Sequence, residues 1–199
     1  MAPLEAWRQF EEEWSAILVA HDLDKLHMHE LASKKAGFYS PYRGWSQDKK
    51  DSFLNKLLAA MGRHVQYYVG VKIPHEKYET ATRKSYATGV TNMIAQACMT
   101  ARAYADDEEG ASLVFASHPE VKESALGYYC DQIRVVMPNL GSVSIMEAGK
   151  CAPLQAADLF AYEFSHCQNW HDIANLSPSL RKLRSGTASF MVSTQYMYG

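Results

Sequence analysis

The stretch "LQAADLFAYE", Leu154 to Glu163, decides how this chain is read. It follows Pro153, a residue suited to the first turn of a helix. Its leucines, alanines and phenylalanine suit a helix built for a core, yet Gln155 and Asp158 stand near its start. At 100° per residue, Gln155, Asp158, Tyr162 and His166 share one stripe. Leu154 and Leu159 flank it, and Ala157, Phe160, Ala161 and Phe164 cover the other main face. A polar line between large apolar side chains is the pattern of a helix lining a cleft. It is equally the pattern of two groups satisfying buried backbone or a neighbouring loop.

Upstream lies "SVSIMEA", a β-branched run that reads as a strand with Glu147 at its end. The short turn "AGKCAP" joins this strand to the helix and keeps their adjacent ends close. Two carboxylates converging in a partly dry cleft repel one another, and a divalent cation relieves the repulsion. Oxygen ligands suit Mg²⁺ or Mn²⁺, which can activate water and stabilise charge on a transferring phosphoryl group. Asp158 and Glu147 are thus candidate metal ligands. A solvated strand end is the simpler reading of Glu147 alone.

The rest of the chain alternates in the same way. Residues 1–20 read as a helix, with Leu4, Trp7, Phe10, Trp14, Ile17 and Leu18 at three- and four-residue spacing. Residues 21–45 are irregular. Ser46 can cap a helix through His64, and "VQYYVGVKI" reads as a strand. A helix is expected over 86–104, a strand at "ASLVFAS" and a helix from Pro119 to about Val135. The tail from Leu176 is basic. Strands alternating with helices, without repeat or linker, predict one α/β domain.

Composition sets the outer limits. The chain has 199 residues, 47% of them hydrophobic, with a net charge of -2. That is enough for a substantial core and not the charge of a protein basic all over. No run is long and apolar enough to span a bilayer, and no leader opens the chain. The expectation is a cytoplasmic protein with no membrane partner. Cys98, Cys130, Cys151 and Cys167 form no C-x-x-C pair and read as reduced thiols.

"DKLHMHEL", Asp24 to Leu31, holds the remaining candidates. If extended, His27 and His29 share a face; if helical, His27 pairs with Glu30. Either arrangement offers a general base or metal ligands, and a satisfied structural histidine is the alternative. A transition-metal site on His27 and His29 lacks a third ligand at recognisable spacing. His64, His75, His118 and His171 stand isolated. The basic "SLRKLRSG" segment, with Arg181, Lys182 and Arg184, could meet phosphates but equally forms a solvated helix face.

Three features in order, "APLEAWRQFEEEW", "LHMHEL" and "PLQAADLFAYE", resemble the bacterial and phage "domain of unknown function 3800" family over nearly the whole chain. The last match is the most specific. The resemblance implies a ribonuclease-H-like mixed sheet flanked by helices and a metal-dependent nuclease activity, often near mobile elements. Asp158 matches the acid of the family's Q-x-A-D pattern, Gln155 its glutamine and His27 the histidine after the first helix. Glu147 stands where the family often has an acid. The family's leading strands, with an Asp-Glu-Ser-Gly-like motif carrying a central metal ligand, have no counterpart here. The expectation is therefore an N-terminally incomplete ribonuclease-H-like domain over residues 1–199. It would show weak or no nuclease activity and self-associate through an exposed sheet edge. The alternative is a non-catalytic binding module of a phage or mobile-element system.

Overall fold

Trp14 and Phe10 explain the first element. Both are fully buried on helix α1, Leu4–Val19, where they stand one turn apart with rings 5.0 Å between centroids. The computed structural model describes residues 3–33, 37–71, 111–117, 127–128, 130–131, 134–135, 138, 140–166, 181 and 189–193. These include four helices, α1, α2 (Met28–Ala32), α3 (Gln47–His64) and α4 (Ala152–Ser165). The strands are β1 (Tyr67–Val71), β2 (Ala111–Ala116), β3 (Leu140–Met146) and β4 (Ser189–Ser193). The protein is thus mixed α/β. The expected helix over 86–104 and the Lys182 and Arg184 cations lie outside the described residues.

The chain divides into two compact units, each drawn from separate stretches. The first holds residues 2–67 and 148–190, with the helices. Helix α1 packs on α3 and on α4, and α2 packs on α4. Phe53, Leu57, Leu58 and Met61 of α3, and Leu159, Phe160 and Phe164 of α4, are buried. Each such side chain stabilises the fold by roughly 2 kcal/mol relative to exposure. Ser46 caps α3 as expected, its Oγ accepting the Lys49 N–H at 3.2 Å. Glu13 of α1 binds Arg63 and, at 2.9 Å, His64 of α3. His64 therefore has a partner that spacing did not suggest.

The end of α1 steers the chain towards the candidate residues. Asp22 takes a left-handed φ of 56°, and the Leu23 N–H reaches back to the Leu18 carbonyl at 3.0 Å. This is the turn by which many helices stop, and aspartate tolerates it better than most residues. The next stretch delivers Leu26, His27 and the short helix α2.

The second unit holds residues 68–147 and 191–199. There β2 and β3 pair in parallel, with Leu113 opposite Val143 and Phe115 opposite Ile145. These four side chains are half-buried, while Ser112, Val114, Ser142 and Ser144 between them are exposed, the period-two pattern of a half-covered sheet. Parallel strands need a crossover, and Gly127, Tyr128, Cys130, Asp131, Arg134 and Val135 between them are helical. Cys130 and Leu140 form the buried centre, with Leu113, Phe115 and Val143 packed on it. Arg134 donates to the carbonyls of Leu140 at 3.3 Å and Gly141 at 2.9 Å, tying the helical stretch to the start of β3. β1 pairs with β4, a strand the sequence reading did not place.

Candidate functional site

Helix α4 begins after a 3₁₀ turn, Ala148–Lys150, with extended Cys151 at its cap and a proline in its first turn. The turn comes very close to Lys25: a Cβ at Gly149 would stand 3.0 Å from the Lys25 Cδ, so glycine permits the approach. Gln155 then points into the protein and is only 5% exposed. Its Oε1 accepts from the Trp14 indole N–H at 3.1 Å and from the Leu26 N–H at 2.8 Å. Its Nε2 donates to the Gly149 carbonyl at 3.3 Å. One buried amide thus joins α1, the segment before α2, the 3₁₀ turn and α4. Gln155, proposed from sequence as part of a polar stripe, is a structural tie.

Asp158 is one turn further along the same stripe and is exposed. Its carboxyl is raised above the usual aspartate range, chiefly because surrounding protein displaces water from it. The nearby His27 and a hydrogen bond from the Met28 backbone N–H act in the opposite direction. The structure therefore brings together two of the sequence candidates, Asp158 and His27, from distant parts of the chain. Tyr162 and His166 continue the stripe with rings 4.4 Å apart, and the His166 Nδ1 lies 2.8 Å from the Tyr162 carbonyl oxygen.

His27 is half-buried and extended at the N-terminal cap of α2, with no capping bond from its side chain, and the residues after it, Met28–Ala32, are helical. Its carbonyl accepts the Leu31 N–H at 2.9 Å, and its own N–H donates to the Tyr42 hydroxyl at 3.1 Å. Tyr42 is almost fully buried, and its hydroxyl points towards the Lys25 carbonyl at 3.5 Å. Burial raises the Tyr42 hydroxyl's pKa, the Glu30 and Asp24 charges adding to the rise. Glu30 is half-exposed and near enough to act on this group, while His29 is exposed. Sequence reasoning missed Tyr42 as the anchor of His27. A tyrosine between Pro41 and Gly44 signals a turn, and nothing in it signals a partner fifteen residues away.

Glu147 is exposed and follows the last residue of β3, as expected for a strand end. It belongs to the unit of β2 and β3, whereas Asp158 belongs to the helical unit. Among the described residues, no group of three or more His, Cys, Asp or Glu side chains is arranged to hold a metal ion. No described helix is long and apolar enough to cross a membrane. No protein-family model matches the chain, and neither a curated protein nor a solved structure is significantly similar to it.

Proposed function

We propose that this chain is a ribonuclease-H-like member of the domain of unknown function 3800 family, directed at nucleic-acid phosphodiesters, with Asp158 and His27 at its reactive face. The supporting observation is that the exposed Asp158 carboxylate accepts the Met28 backbone N–H and lies near enough to His27 to feel its charge. An imidazole next to a carboxylate is suited to moving a proton. His27 would take a proton from the attacking water as its oxygen bonds to phosphorus. The bond to the leaving oxygen then breaks, that oxygen takes a proton from solvent water, and His27 returns its own proton to solvent. Asp158 would stabilise the imidazolium.

The nuclease reading also calls for Mg²⁺ or Mn²⁺, which favours several oxygen donors. Asp158 supplies a carboxylate and His27 an imidazole, and among the described residues no third ligand completes a set. These residues do not amount to a full metal site, so no step is derived through a metal. Weak cleavage is the expected outcome when RNA or DNA is incubated with the chain in Mg²⁺ or Mn²⁺. Asp158→Asn should abolish it; a variant as active as the wild type would sink the assignment.

One observation favours a second reading, a non-catalytic binding module within a phage or mobile-element system. Asp158 accepts a protein N–H, and the Gln155 amide is engaged with protein partners at both ends. Titration calorimetry with MnCl₂ separates the two. Binding heat that Asp158→Asn removes supports the nuclease reading, and its absence supports the module.

A further inference from the structure

The loop "GFYSPYRGWS", Gly37 to Ser46, has no role in the chemistry above, yet it is unusual in what it exposes. Tyr39 is 94% exposed and Phe38 73%, their rings 5.2 Å apart and nearly perpendicular. The Arg43 guanidinium lies 4.6 Å from the Phe38 ring centre, and the Lys49 ammonium 4.1 Å from that of Trp45. Large aromatic rings left in water, each close to a cation or to a ring that is, have no core to explain them.

The loop is held in shape. Backbone bonds from Ser40 to Gly37, Arg43 to Ser40 and Trp45 to Tyr42 wind it into successive turns, and Gly44 supplies the left-handed φ of 80° that one of them needs. Trp45 packs edge-on against Tyr42 and Phe53. Tyr42, between the exposed rings and Trp45, is the residue whose hydroxyl receives the His27 N–H. The loop that carries the exposed rings therefore also supplies, through Tyr42, a hydrogen-bond partner of His27.

Charge indicates what the loop would meet. Residues 33–50 carry five basic side chains and one acidic, in a chain whose net charge is -2. An exposed aromatic pair in a segment of net positive charge matches single-stranded nucleic acid, which offers stacking faces and phosphates together. Bases inside a duplex are already stacked and offer no free face.

We infer that the Gly37–Ser46 loop is a stacking platform that docks single-stranded nucleic acid on the unit that carries Asp158 and His27. The inference rests on the nucleic-acid reading above and names its substrate class. The test is fluorescence anisotropy of a short fluorescein-labelled oligothymidylate with the full chain in EDTA, where cleavage cannot contribute. The wild type should bind, and salt should weaken the binding. Phe38→Ala with Tyr39→Ala should lower affinity by roughly tenfold or more. Arg43→Ala should lower it and also flatten the salt dependence. Circular dichroism matching the wild type confirms that these exposed substitutions leave the fold intact. No binding, equal competition by unlabelled duplex of the same length, or folded aromatic variants that bind as the wild type does would each overturn the platform. Asp158-dependent cleavage without oligothymidylate binding overturns the platform alone. Binding without Asp158-dependent cleavage overturns the nuclease reading alone.

Discussion

Gln155 and Asp158 stand one turn apart on the same face of α4, and the structure uses them in opposite ways. The Gln155 turn is sealed: its amide is buried and binds Trp14, Leu26 and Gly149. The Asp158 turn is open, its carboxylate accessible beside His27 and the start of α2. A buried amide without partners would cost more than it contributes, and Gln155 has partners on both its oxygen and its nitrogen. A carboxylate could not be sealed in the same way without a far larger desolvation cost. The stripe therefore divides into a sealed end and an open end.

That division is open to direct attack. The largest effect should come from Gln155→Leu, which leaves the Trp14 N–H and Leu26 N–H buried without an acceptor. Urea unfolding should show a loss of about 3 kcal/mol; a change under about 0.5 kcal/mol would mean that Gln155 ties nothing together. Trp14→Phe removes one of the same bonds from the other side along with part of a packed ring. A loss of about 2 kcal/mol is expected. In a double mutant with Gln155→Leu the two losses should be less than additive, because both remove one contact.

Smaller changes sharpen the contrast. Glu13→Gln loosens the pairing of α1 with α3 and should cost less than about 1 kcal/mol at neutral pH, because the cluster is partly solvated. Arg63 and His64 lower the Glu13 pKa, so its contribution is present above the ordinary glutamate range and lost as pH falls. The variant and wild-type melting curves should therefore converge in acid, and a gap that persists there would refute the ion-pair account.

The smallest effect on stability belongs to Asp158→Asn. Burial raises the aspartate's pKa, so folding favours its protonated form. Its contribution to stability is full below the ordinary aspartate range and is lost as pH rises through the folded value. At neutral pH the charge opposes folding, and Asp158→Asn should melt at the same temperature or slightly higher, the difference closing in acid. A marked loss of stability would make Asp158 a structural tie, as Gln155 is.

Much of this architecture was readable before the coordinates. Periodicity placed α1 and α4, the Ser46 cap placed α3, and β-branched and aromatic runs placed β1, β2 and β3. Ser46 was recognisable as a cap because capping is local chemistry. The five-residue helix α2 was left open between helix and strand, being too short to show a period. β4 was missed, and the sequence around it is dominated by basic and small residues.

The candidate site was legible only as separate residues. The sequence alone determined that Gln155, Asp158, Tyr162 and His166 share a helical stripe, because helix geometry depends on spacing and nothing else. It also supplied His27 and Glu147 as groups capable of chemistry. Only the tertiary structure decided that Gln155 is buried while Asp158 stays open. Only it brought His27 to Asp158 and made Tyr42 the anchor of His27. Those outcomes depend on contacts between distant segments, set by how α1, α2 and α4 pack, and no local pattern of residues encodes which side of a stripe will meet water.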